Sequence, residues 1–175
     1  MAIFRQVESE DVARRTRRLL DEAKFLSLAT VSTEEQPWSA VLQYAWLPRP
    51  LRFVFGSAVQ SRHSTDVMTR PRVAGSLFVA GGELLAVDGA QFAGTCRELS
   101  PDEVVAHHAA FYDAVLPDAA ERAEYTLPVS MLVPPAPHRL YVVEVEQWWL
   151  VDTSTWVEDR IDRRASVSLA ALADL

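Results

Sequence analysis

A single cysteine, Cys96, stands among 175 residues. No intrachain disulfide can form, and a thiolate metal cluster is out of reach. No apolar run approaches the roughly 20 residues that a membrane-spanning helix needs. The opening residues Met1-Ala2-Ile3-Phe4-Arg5 lack the long apolar core of a secretory signal. A reducing cytoplasm is therefore the expected compartment. Positive charge is in deficit, with 17 Lys and Arg against 24 Asp and Glu and a net charge of -7. Such a field repels nucleic acid and anionic membrane surfaces. No Gly-x-Ser-x-Gly elbow, Walker loop or Gly-x-Gly-x-x-Gly fingerprint occurs.

What is present is a globular balance, 49% hydrophobic and 23% charged, in a length that fits one domain, residues 1–175. Ser9 with Glu10 and Asp11 marks a helix start, acids against the positive end of the dipole. Val12, Thr16, Leu19, Leu20 and Ala23 follow on one face at helical spacing. Arg14, Arg15, Arg17 and Arg18 lie opposite, and Arg17–Asp21 and Arg18–Glu22 have the i,i+4 spacing of a solvated helix.

Strand patterns then take over. Residues 25–32 are apolar and β-compatible, and Glu34-Glu35-Gln36-Pro37 supplies a turn. Trp38, Ala40, Leu42, Tyr44 and Trp46 alternate with smaller or polar residues, which predicts one strand with an aromatic face. Pro48 and Pro50 close it, and 51–57 makes a third strand. A short helix at 66–68 ends before Pro71. Residues 72–79 and 84–98 predict two strands joined at Gly81-Gly82, a hairpin signal. Gly89 and Gly94 within the second suggest a bulge or a close backbone approach. Ser100-Pro101-Asp102-Glu103 is a capping box for a helix to about residue 114. Pro117 and Asp118 restart a shorter helix, 134–137 is an extended linker, and 139–151 a last long strand. The tail from 152 reads as a loop with a short helix at 166–172. No internal repeat is visible. Many antiparallel strands interrupted by short helices predict a mainly β, closed Greek-key barrel with helices at its ends.

Chemistry-bearing residues gather in one stretch. A strand ends at Ser57, and Ser61 is placed to cap the next helix. Free N–H groups at a helix start favour phosphate, Arg62 adds a planar fork, and Ser57, Ser61 and Ser64 add hydroxyls. Elsewhere, His107 and His108 point about 100° apart on a helix and cannot chelate one metal in the usual way. Their spacing to Phe111 and Tyr112 indicates packing. Asp88 is expected to be solvated rather than catalytic.

The run Phe25-Leu26-Ser27-Leu28-Ala29-Thr30-Val31, the triplet Ser61-Arg62-His63, the segment Pro71-Arg72-Val73-Ala74 and the strand Asp88-Gly89-Ala90-Gln91-Phe92-Ala93-Gly94 together resemble the pyridoxamine 5'-phosphate oxidase-like family. The resemblance covers about residues 25–99, with a helical insertion before the last strand. It implies a six-stranded antiparallel split barrel and a homodimer with FMN in clefts at the interface. Arg62 and His63 would contact the phosphate, with Ser57 and Ser61 beside them. Ser39, Ala40 and Val41 would lie along the isoalloxazine ring, and Gln91 would face its edge. Trp148, Trp149 or Trp156 would reach the site or pack in core and interface. His63 stands where many members have Lys, and Gly56 replaces a larger residue. Arg160-Ile161-Asp162-Arg163-Arg164 lacks the histidine of the oxidase's Arg-x-His-x-Arg element, which speaks against pyridoxamine phosphate oxidation itself. The resemblance leaves three expectations: an FMN-dependent oxidoreductase acting on a small molecule, a carrier of flavin, deazaflavin or haem, or a dimeric domain without cofactor.

Overall fold

The structure is a computed structural model and describes residues 9–80, 87–173 and 175. Its first element, α1 (Ser9–Glu22), buries Val12, Thr16, Leu19 and Leu20 as the spacing predicts. Two of its arginines leave the solvated role. Arg15 Nε donates to both oxygens of Asp88, at 2.9 and 3.1 Å, and Arg18 reaches the same carboxylate. Asp88 is thus a clamp between α1 and the sheet, not a solvated group. Arg18 pairs with it in place of Glu22, whereas the Arg17–Asp21 pair forms at 3.6 Å.

Eight strands follow among the described residues: β1 (Phe25–Val31), β2 (Pro37–Gln43), β3 (Ala45–Leu47), β4 (Arg52–Ala58), β5 (Arg72–Ala80), β6 (Val87–Glu98), β7 (His138–Asp152) and β8 (Arg163–Val167). All pairs are antiparallel, in the order β2-β1-β5-β6-β7-β4-β3, with β8 added to β7. Two features raise the expected six strands to eight. The long aromatic strand is interrupted at Tyr44, and the tail contributes β8 where a loop and a helix were expected. Tyr44 is buried and donates its hydroxyl to the Leu20 carbonyl at 3.2 Å, which pins the break to the end of α1.

The break also shapes the sheet. β2 pairs with β1 while β3, one residue later, pairs with β4, so the sheet curls back on itself. The β3–β4 ladder stops at Ala45↔Val54. Beyond it β2 pairs only with β1 and the end of β4 only with β7, leaving a seam between them. The helix α2 (Arg62–Thr69) connects β4 to β5 and lies against β1 and β2. Its buried Asp66 accepts from the buried Thr30 hydroxyl at 2.7 Å. It is longer than the expected turn at 66–68 because Ser61 caps it.

Inside the barrel, Phe53, Phe92 and Trp148 form the aromatic centre, with Phe53 and Phe92 centroids 4.9 Å apart. A second core lies on the other face of β3, β4 and β7. There α3 (Pro101–Val115), started by the expected Ser100 capping box, and α4 (Ala119–Tyr125) form the helical insertion. Val104, Phe111 and Tyr112 of α3 pack on Val54, Leu140 and Val142. The linker at 134–137 is a turn, with Ala136 N–H donating to the Val133 carbonyl. Gly94 sits at a register shift in the β6–β7 ladder, where an added Cβ would fall 2.0 Å from the Glu144 carbonyl oxygen. The expected turn at Gly81-Gly82 and residues 84–86 lie outside the described residues. α5 (Trp156–Asp159) precedes β8, and a 3-10 turn, Leu169–Leu172, follows it. Among the described residues no helix is long and apolar enough to cross a membrane.

Candidate functional site

The seam brings the predicted polar residues together. Ser57 is near the end of β4, and the chain turns through Ser61 into the first turn of α2. Ser57 Oγ lies 2.9 Å from Ser61 Oγ and 2.8 Å from His63 Nε2, and Ser61 Oγ lies 3.1 Å from the same nitrogen. Ser61 also donates to the buried Ser64 hydroxyl at 2.8 Å and accepts from the Ser64 N–H at 3.4 Å. Three side chains thus converge on a helix start, where backbone N–H groups carry partial positive charge.

Burial lowers the His63 pKa below its ordinary 6.5, and the nearby Asp66 carboxylate opposes that shift in part. Near neutral pH the imidazole is uncharged. It can accept a serine proton on Nε2 or donate from it, according to tautomer. The permanent charge comes from Arg62, whose exposed guanidinium stacks 4.8 Å from the centroid of the Trp38 ring. Trp38 belongs to β2, on the other side of the seam, and helps hold the fork beside the cradle. Periodicity marked Trp38 only as part of an aromatic face.

Ser39, Ala40 and Val41 alternate in direction. Ala40 is opposite buried Leu28 and turns inward, whereas Ser39 and Val41 turn to the outer face. Ser39 Oγ lies 2.8 Å from Ser27 Oγ. Ser27, Ser76, Gln91 and Trp149 then follow in register across β1, β5, β6 and β7. The next row is Ala29, Ala74 and Ala93. Both rows line an open groove of about 530 Å³. Gln91 accepts there from Arg164 Nε at 2.8 Å. The sequence named Arg164 only within the segment Arg160-Ile161-Asp162-Arg163-Arg164 and not as a site residue; the alternation of Arg164 and Ser166 with buried Ala165 and Val167 is the signal that β8 exists.

The other candidates lie as follows. Trp148 is buried and donates its indole N–H to Thr16 Oγ1 at 3.2 Å. Trp149 lines the groove, and Trp156 begins α5. His108 packs on Tyr112 with centroids 5.0 Å apart, and its Nε2 lies 2.7 Å from the Leu127 carbonyl oxygen. A Cβ on Gly56 would touch Phe111 of the insertion at 3.5 Å, so α3 limits what fits there. Burial pushes the Cys96 thiol up to about 12, which leaves it unreactive.

Comparison with known proteins agrees with this architecture. The family profile described as "Pyridoxamine 5'-phosphate oxidase" matches residues 13–152. No curated protein matches the chain. Among solved structures, a haem binding protein from Mycobacterium smegmatis superposes with a TM-score of 0.70 at 22% identity, over 97% of this chain and 61% of that one. This chain therefore spans about three fifths of that protein. HutZ, described as a haem storage protein of Vibrio cholerae, gives 0.56 at 15% identity, over 77% of this chain and 89% of that one. A general stress protein 26 relative from Clostridium acetobutylicum, ascribed to the pyridoxinephosphate oxidase family, gives 0.60 at 10% identity, over 92% and 97%. At these identities the superpositions speak for the fold. With the profile covering most of its length, the chain belongs to the pyridoxamine 5'-phosphate oxidase family and has its split-barrel fold.

Proposed function

We propose that the chain binds FMN, with the phosphate in the seam cradle and the ring system along the outer sheet face, and works as a cytoplasmic flavin-dependent oxidoreductase on a small molecule. The observation that carries this reading is the convergence of Ser57, Ser61 and His63 within 2.8–3.1 Å at the start of α2. A phosphate needs hydroxyl and N–H donors plus a cation. The cradle offers two hydroxyls, an imidazole, free helix amides and the Arg62 fork, so the donor set fits. A bound flavin would supply the electron transfer. The protein's part is to bind the phosphate, orient the ring and exclude water.

Two copies are part of the reading. The groove face, which carries Ser27, Ser39 and Ser76, also exposes Phe25 at 52%, Val41 at 74% and Phe78 at 65%. An apolar patch of this kind on one sheet face is what a second copy would cover. The insertion occupies the opposite side, over β3, β4 and β7. Haem is the second reading, favoured by the names of two structural neighbours. It must find an axial ligand elsewhere than His108, whose Nε2 is held by Leu127.

The test is calorimetric. Arg62→Ala leaves the barrel core intact and should weaken FMN binding about ten- to a hundredfold, on the order of 1.5–3 kcal/mol for a charge-assisted pair. Equal affinity in both proteins would remove phosphate recognition from this cradle. The absorption spectrum of protein reconstituted with FMN or haemin separates the two cofactor readings.

A further inference from the structure

A second cavity, of about 460 Å³, opens at the end of β2 away from the cradle, between the end of α1, the break at Tyr44 and the helical insertion. Its volume is that of a small-molecule site. Phe25, Tyr44 and Trp46 bring aromatic surface to it from the sheet, and Val115 and Pro117 bring apolar surface from the insertion. The charged groups on its walls differ in how they are paired. Asp21 is already satisfied, because one oxygen accepts from the Trp46 indole N–H at 3.2 Å and the other lies 3.6 Å from Arg17 Nε. Lys24, the only lysine of the chain, follows α1 on one wall. Glu121 stands on another, in the first turn of α4, which Asp118 fixes by accepting from the Ala120 and Glu121 N–H groups at 2.9 and 3.0 Å. Among the described residues neither the Lys24 ammonium nor the Glu121 carboxylate has an ion-pair or hydrogen-bond partner. The same holds for the side-chain amide of Gln43, which also lines the cavity.

We propose that this cavity binds a zwitterionic amino acid with an apolar side chain, its carboxylate toward Lys24, its ammonium toward Glu121 and its side chain against Trp46 and Phe25. Charge balance decides the class of ligand. An anion gains Lys24 but meets Glu121. A cation gains Glu121 but meets Lys24, and the Trp46 face already carries the Arg17 guanidinium, 5.3 Å from the ring centroid. A ligand with both charges satisfies two groups that the fold leaves unpaired. Gln43 can give a hydrogen bond to the carboxylate or take one from the ammonium. Apolar contact supplies most of the affinity, while the two exposed charges supply the discrimination. Lys24 and Glu121 belong neither to the cradle nor to the groove, so the site stands apart from the flavin reading. A ligand that spans them ties α1 to the insertion, and its binding adds to the stability of that contact.

The probes are L-phenylalanine and L-leucine, titrated into the full chain by calorimetry up to about 10 mM. Phenethylamine lacks the carboxylate and 3-phenylpropionate lacks the amine, so each keeps only one of the two ion pairs. Each should bind about three- to tenfold more weakly than L-phenylalanine. The variants cross this comparison. Lys24→Gln should weaken L-phenylalanine by a similar factor and leave phenethylamine no weaker than in wild type. Glu121→Gln should weaken L-phenylalanine and leave 3-phenylpropionate no weaker. Lys24→Arg keeps the charge and should retain most of the affinity. Both side chains are exposed, so the variants should give the wild-type circular dichroism. Failure of both amino acids to bind overturns the proposal. Equal affinity for the three phenyl compounds does the same, since it would reveal an apolar cavity without charge selection, and so does wild-type affinity in both Gln variants.

Discussion

His63 should make FMN affinity depend on pH in a way that its structure fixes. The imidazole lies 2.8 and 3.1 Å from two hydroxyls, and burial holds its pKa below 6.5 in the ligand-free protein. A phosphate dianion brought into the cradle acts the other way and raises it. Below the free-protein value the ring is charged with and without ligand, and above the bound value it is neutral in both. Between the two values binding takes up one proton, so affinity falls by at most tenfold per pH unit as pH rises. A charge-assisted hydrogen bond of about 1.5–3 kcal/mol corresponds to about one to two pH units of window, and so to about a ten- to hundredfold total change. The window begins below 6.5 because the free value is depressed. In the absence of ligand the sign for stability is opposite. The fold favours the neutral ring, so this contribution is present above the unfolded value of 6.5 and is lost as pH falls through the folded value. The assay is flavin fluorescence quenching from pH about 5.5 to 8.5 at constant ionic strength, for wild type and His63→Lys. Lysine stays charged throughout, so the variant reports the ligand's own phosphate ionisation near pH ~6. Superimposable profiles would place His63 away from the phosphate and refute the reasoning.

Two further outcomes are expected. Asp88→Asn removes the charge that holds both Arg15 and Arg18, and urea unfolding should show a loss of about 1.5–3 kcal/mol, non-additive with Arg15→Leu; additivity would mean that the clamp contributes nothing as a pair. Sedimentation equilibrium should give twice the 19.5 kDa chain mass, and Val41→Glu with Phe78→Glu should halve it, whereas a wild-type monomer at micromolar concentration rules out the paired site.

Much of the fold was legible because short-range patterns carry it. The capping box at Ser100, the apolar stripe of α1 and the alternation in β7 need no distant partner to be recognised. What escaped the sequence depends on residues far apart. The break at Tyr44 comes from a hydrogen bond to α1, and nothing local at that position interrupts the alternation. Arg15 and Arg18 find Asp88 some 70 positions away, so a helix-only view left Arg15 on the outer face and paired Arg18 with Glu22. β8 is five residues long and exists because β7 offers it an edge. In the site, Ser57, Ser61 and His63 were legible because they lie within seven residues of chain, a span that a strand end and a helix start can bring together. Arg164 was not, because its meeting with Gln91 is set by the order of strands.

The seam gives α2 two tasks that cannot be separated. The same helix that fills the gap between β2 and the end of β4, through Val67 and the Thr30–Asp66 bond, also supplies the cradle at its first turn. Occupancy and closure are therefore one equilibrium: a ligand that needs Ser61 and His63 in place can bind only when the gap is filled, and its binding energy adds to the cost of opening it. Without ligand, this is where the barrel has the fewest interstrand bonds to lose, so local unfolding should begin here and spread last to the β6–β7 ladder. A molecule bound in the cradle would then act as the missing rung of the sheet.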